Sequence, residues 1–313
     1  MNKEIPAEKD LKKVLVIGEL LADIISDDNI KSLASPSTFK IYQGGSAANL
    51  CANLKWLGVD AKLVGAVGND ELGKFLINSL KEAGLSDSHL TVLPNHQTSI
   101  ILVGKNTDTP DFIPYRSADN EIYAIDNQLI ESAKLIHTTA FSLSKQPARE
   151  HILNAFLEAN QTGKFISIDW NFSPIIWNND DGMKIFKQIC KYHPLLKISL
   201  DDVERFAGEA LTTKAAMQYL DQFTTHITCL TCGKDGVWFK ENGGNWNHKP
   251  ALPIKQITSV TGAGDAFWSG FLYVFLQKKP VEQCIDFALL LAKTKIESAE
   301  PLYKIEPSLY IKE

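Results

Sequence analysis

Runs of consecutive apolar residues, alternating with stretches of helical period, recur along most of this chain. VLVIG (Val14 to Gly18) and SAANLCANLKWLG (Ser46 to Gly58) form the first such pair, and a glycine marks the helix stop. AKLVGAVG then leads into ELGKFLINSLKEAG, which ends at Gly84. After Lys134 come KLIHTTA, a helix from about Pro147, KFISIDW, another helix, LLKISL, more helix and HITCLTC. A strand apolar at every position must be covered on both faces, and intervening helices are the usual cover. The pattern predicts a doubly wound, mainly parallel sheet in three layers, α/β/α. With 313 residues, 44% of them hydrophobic, the chain can bury such a core. No linker or low-complexity tract divides it, and residues 1–313 read as a single domain.

Two segments break the rhythm. Residues 24–43 and 91–116 are polar, threonine-rich and too long for ordinary connections. They predict a small discontinuous β lid over a cleft.

Several function classes fall away early. A formal net charge of -5 gives no support for a nucleic-acid partner. The amino-terminal MNKEIPAEKDLKK lacks the apolar stretch of a signal peptide, and the longest apolar run, Ala266 to Leu276, is too short to cross a bilayer. A cytoplasmic protein without a membrane partner is expected. Cys229 and Cys232 form a C-x-x-C, but on a strand residues three apart point to opposite faces. No second pair completes the four ligands of structural zinc. The seven histidines show no ligand spacing.

Ligands of open parallel sheets bind beyond the carboxyl ends of the strands. A strand predicted at Gln256 to Val260 exits into Thr261-Gly262-Ala263-Gly264-Asp265, followed by a long apolar helix. Glycines there let amides turn inward, and the helix adds its positive end, which together make an anion cradle. An acid in that first turn has a specific use: amides hold a transferring phosphoryl group while the carboxylate takes a proton from the attacking hydroxyl. The plainer reading is that acids favour helix starts and glycines favour turns.

Gly68 to Lys74 matches a G-x-x-x-x-G-K phosphate loop, but Phe75 stands where a hydroxyl should bind Mg²⁺, and Asp70 and Glu71 would repel phosphate. In Gly44-Gly45-Ser46-Ala47-Ala48-Asn49 the glycine pair admits a ligand close to backbone and Asn49 offers donor and acceptor. Ser46 and Asn49 read equally as helix-capping residues. Asp23 either grips vicinal hydroxyls or is a turn residue.

Gly44-Gly45 to Asn49, closed by Gly58, resembles the amino-terminal signature of the ribokinase (PfkB) family of sugar kinases, and Thr261 to Phe267 resembles its carboxyl-terminal signature. Gly18-Glu19 to Asp23, Val64 to Gly73, Asp169-Trp170-Asn171 and Thr231 to Gly236 follow in the family's order, so the resemblance spans nearly the whole chain. It implies a ribokinase-like fold and transfer of phosphate from ATP, with Mg²⁺, to a sugar. Asp265 would be the catalytic base, and Gly262, Ala263 and Gly264 the anion hole. Asp23, Gly44, Gly45, Asn49, Asp169 and Asn171 would hold the sugar. Arg116 reads either as a lid residue meeting the sugar or phosphate or as an exposed loop charge. Ser199, Thr231, Gly233 and Gly236, with Gly264, would line the ATP site. Asp202 would act on Mg²⁺ through water. The lid would pair with a second subunit in a homodimer.

Gly18 to Asp23 and Tyr115 to Asp119 are most similar to fructokinases, and Asp169-Trp170-Asn171 to fructokinases and 2-keto-3-deoxygluconate kinases alike. Fructose is the substrate expected first. A 2-keto-3-deoxygluconate kinase, a ribokinase or nucleoside kinase, and a non-catalytic sugar-binding regulator are the alternatives. The chain departs from the family pattern at Ser259, Ser173 and Ser199. Ser259 replaces the aspartate that helps form the family's monovalent-cation site, so the resemblance does not carry K⁺ activation across. At Ser199 to Asp202 the family's Asn-x-x-Glu keeps its carboxylate in shortened form.

Overall fold

The computed structural model describes residues 13–35, 38–105, 111–123, 125–177 and 181–306. Thirteen strands occur among them. They are β1 (Lys13–Ile17), β2 (Leu21–Ser26), β3 (Phe39–Gly44), β4 (Asp60–Gly68), β5 (Leu90–Leu93), β6 (Ile100–Gly104), β7 (Asp111–Tyr115), β8 (Leu135–Thr139), β9 (Phe165–Asp169), β10 (Leu195–Ser199), β11 (Ile227–Thr231), β12 (Val237–Glu241) and β13 (Asn247–Lys249). Nine form one sheet in the order β13-β12-β11-β10-β9-β8-β1-β4-β5. Its pairings from β5 to β11 are parallel, and β12 and β13 join antiparallel at one edge.

Period-two alternation divides the apolar strands between two layers. On β1, Val14 and Val16 join a core with the helices Ser46–Trp56, Ala263–Phe275 and Val281–Ile296, while Leu15 and Ile17 join the opposite core with Ala148–Gln161 and Asp181–Cys190. Leu195 and Leu196 split the same way on β10. The predicted doubly wound three-layer sheet is the one observed.

A second sheet, in the order β3-β2-β6-β7, gathers both polar segments. Within it β2 pairs β3 antiparallel and β6 parallel. Residues 36–37 and 106–110 of those segments lie outside the described residues. Residues 91–93, read as the start of the second excursion, instead belong to β5, which pairs with β4 at the edge of the main sheet.

Gln256 to Val260, predicted as a strand, pairs with no strand; Thr258 and Ser259 donate their amides to the carbonyl of Ile296 instead. Ile257 and Val260 are 68% and 67% exposed. Their β-branched side chains suit a strand, but such a preference measures packing on neighbours, and none lies alongside. No described helix is long and apolar enough to cross a membrane.

Candidate active site

Asp265 lies in the first turn of the helix Ala263–Phe275, with its side chain buried. Gly262 precedes that helix at φ +76°, a left-handed conformation that glycine adopts without cost. Ala263 donates its amide to the carbonyl of Val260 at 3.2 Å. The amides of Gly264 and Asp265 have no hydrogen-bond partner among the described residues, so the free donors of the turn are these two. Unpaired amides at a helix start, with the helix dipole behind them, suit an anion.

Both oxygens of Asp265 are held from the amino-terminal half of the chain. Ser46 Oγ donates to Oδ1 at 2.6 Å, and Asn49 Nδ2 donates to Oδ2 at 2.9 Å. Gln43 Nε2 in turn donates to Asn49 Oδ1 at 3.0 Å, which fixes the amide's orientation. Ser46 does not cap its helix: Gly45, at φ +99°, takes that position, and Ser46 is the first helical residue. Any Cβ on Gly45 would collide with the carbonyl of Glu19, so the close backbone approach requires glycine.

A Cβ on Gly44 would run into the carboxylate of Asp23, which sits at the junction of lid and core. Lost hydration pushes the Asp23 carboxyl up to about 7, and the charges of Asp265 and Glu19 add to the effect. Glu19 is buried beneath. It accepts from Thr139 Oγ1 at 2.7 Å, from Ser142 Oγ and from the amide of Ala47 at 3.3 Å. Burial raises its pKa as well, with those hydrogen bonds working against the rise.

Asp169 ends β9, two strands from β1, with its side chain buried and facing Lys197 of β10. Lys197 Nζ lies 3.0 Å from each carboxylate oxygen. It also lies 3.0 Å from where a Cβ of Gly264 would stand, so the ammonium forms the floor of the anion turn. Burial disfavours that charge, but Asp169, Asp202 and Asp265 outweigh it and raise the lysine's pKa. Asn171 accepts from the amide of Phe141 at 3.1 Å.

The residues expected to meet ATP gather at the adjoining strand ends, where Ser199 and Thr231 are paired in register. Gly233 to Asp235 form a single 3-10 turn, and Gly236 at φ +89° passes so close to Lys249 and Ala251 that no side chain fits. Ser199 and Asp202 form a capping box: Asp202 donates its amide to Ser199 Oγ at 3.1 Å, and Ser199 donates its amide to Asp202 Oδ2 at 3.3 Å. The other oxygen of Asp202 pairs with Arg205 at 3.0 Å. Among the described residues no three histidine, cysteine or acidic side chains cluster to hold a metal. A lone carboxylate fits Mg²⁺ that arrives on ATP phosphates and keeps its waters.

Arg116 is turned inward. Its guanidinium binds Asp119 Oδ2 at 2.6 and 3.0 Å and lies 4.1 Å from the ring centroid of Phe141. Its side chain is 2% exposed, so it is neither the exposed loop charge nor a cation free to reach a ligand. Asp70 caps the helix Glu71–Glu82, accepting from Gly73, and also accepts from Thr98; this turn has no phosphate-loop geometry to offer.

Sequence reasoning left Glu19, Lys197 and the bond from Ser46 to Asp265 unassigned. A lysine inside the otherwise apolar LLKISL was a signal, because a buried charge needs a partner.

A family model described as pfkB family carbohydrate kinase matches residues 11–306. An ATP-dependent 6-phosphofructokinase of Thermoanaerobacterium thermosaccharolyticum is 32% identical over 94% of this chain and 91% of its own length. A 5-dehydro-2-deoxygluconokinase of Clostridium beijerinckii is 28% identical over 88% of this chain and 84% of its own. Among solved structures, a fructokinase of Halothermothrix orenii superposes with a TM-score of 0.80 at 29% identity, covering 92% of this chain and 99% of that one. A putative ribokinase II of E. coli shares the fold, with a TM-score of 0.82 at 20% identity and coverage of 95% and 96%.

Proposed function

Because the chain belongs to the pfkB family of carbohydrate kinases, an ATP-dependent phosphotransferase acting on sugars, we propose that its acceptor is a neutral sugar, fructose first, and that Asp265 is the base. One observation carries the reading. The Asp265 carboxylate stands at the head of its helix beside the free amides of Gly264 and Asp265, and the sugar-side residues Ser46 and Asn49 grip it. Proton acceptor, anion donors and hydroxyl-binding side chains therefore meet at one point.

In the step that follows, the sugar hydroxyl oxygen bonds to the γ-phosphorus of ATP as the bond from that phosphorus to the β–γ bridging oxygen breaks. Asp265 takes the hydroxyl proton, ADP leaves with the electron pair, and the amides hold the negative charge in transit. Mg²⁺ would come with ATP and offset phosphate charge, and Asp202 would act on it through water. Closure of the lid sheet over the sugar excludes water as a competing acceptor.

Charge supports a neutral substrate. Asp23, Glu19 and Asp265 gather on the sugar side, and Arg116 is bound to Asp119. A phosphorylated or carboxylated sugar would bring its charge toward the Asp265 and Asp23 carboxyl groups. Coupled ADP detection against fructose, fructose 6-phosphate, 2-keto-3-deoxygluconate, ribose and a nucleoside tests this. Fructose should give the highest kcat/KM; a clear preference for fructose 6-phosphate or the keto-deoxy acid would overturn it. Exposed Ile41, Tyr42, Ile113 and Tyr115 on the lid support the expected pairing of lids in a homodimer.

A further inference from the structure

Lys295 lies in the last turn of the helix Val281–Ile296, which packs on the Asp265 helix. Its Cε stands 3.6 Å from where a Cβ of Gly262 would be, and with glycine there the side chain runs unobstructed past the anion turn. The ammonium has three donors. One reaches the carbonyl of Ser298 at 3.3 Å, and among the described residues no carboxylate lies within 4.0 Å. Lys293, two residues earlier, differs: it bonds to Glu297 at 2.5 Å and to the carbonyl of Pro253 at 2.6 Å. A half-buried ammonium with unused donors, on a side chain that passes Gly262 at the head of the turn, is short of an anion. Burial lowers the lysine's pKa while Glu300 and Asp265 pull the other way.

We propose that Lys295 is a catalytic residue, whose ammonium binds the phosphoryl group as it passes from ATP to the sugar. The proposal rests on the kinase reading above. It adds an uncommitted full charge to the anion turn, where the Lys197 ammonium is already paired with Asp169 and the two amides supply only partial charges. A lysine at a helix end also satisfies the helix dipole, so the test must separate charge on the phosphoryl group from support of the helix.

Lys295→Met and Lys295→Gln should each lower kcat by about 100-fold, with sugar affinity by calorimetry and melting temperature near wild type. Lys295→Arg should retain activity to within about tenfold, and ethylammonium should restore part of the turnover of Lys295→Ala, since both return a cation to the site. Unchanged kcat in Lys295→Met and Lys295→Gln overturns the proposal. So does a loss of activity matched by lost sugar binding, which would assign the lysine to holding the helix. Absence of ADP release from the wild-type protein with every sugar would instead strike the kinase reading itself.

Discussion

Ser46 Oγ donates to Asp265 Oδ1 at 2.6 Å across 219 residues of sequence. With Asn49 on the other oxygen, the helix Ser46–Trp56 aims the carboxylate that the last quarter of the chain supplies. Base and sugar site are thus built as one object, and disturbing either should register in the other.

Ser46→Ala removes one hydrogen bond to the Asp265 carboxylate without altering the helix, whose cap is Gly45. The expected loss is about 1.5–3 kcal/mol of positioning, roughly 10- to 100-fold in kcat. Steady-state kinetics with melting temperature as a control checks it. Wild-type kcat in a folded variant would show that Asp265 needs no aiming from this side.

Asp23 titrates near 7 because burial and the neighbouring carboxylates disfavour its charge. Below that pH it is protonated; above it the carboxylate accepts hydrogen bonds from sugar hydroxyls. The value of kcat/KM should therefore rise with pH through an apparent pKa near 7, as expected for a group of the free enzyme. Asp23→Asn should lower kcat/KM and abolish that limb. Persistence of the same limb in Asp23→Asn would assign it to another group.

Lys197 and Asp169 form a buried ion pair beneath Gly264. Lys197→Met leaves the carboxylate buried without its partner and should cost about 3–5 kcal/mol in urea denaturation. Replacing both, as Lys197→Met with Asp169→Leu, should recover most of that stability while activity stays low. Recovery of activity along with stability would show that the pair serves folding alone.

Much of this is legible in the amino-acid sequence alone. The parallel sheet followed from strands apolar at consecutive positions, and the anion turn from glycines beside an acid at a helix start. Those are local signals, written within about ten residues. Residues that act at a distance were not legible in the same way. Ser46 looks like an ordinary helix start until Asp265 is placed opposite, and Glu19 gains meaning only when Thr139, Ser142 and Ala47 close around it. Arg116 misled for the converse reason: its charge suggests a ligand, but Asp119, three residues on, claims it. Gln256 to Val260 misled because β-branched residues predict a strand only where a neighbour pairs, and here the chain runs alone beside Ile296.

The central claim is that Asp265 accepts the hydroxyl proton while adjacent amides hold the phosphoryl charge. Asp265→Asn keeps the shape and one acceptor oxygen of the side chain but removes the base. The turnover of sugar-dependent ADP release, measured beside calorimetric sugar affinity, should fall by roughly 10²–10⁴-fold while the affinity holds. Turnover close to wild type in that variant would contradict the account.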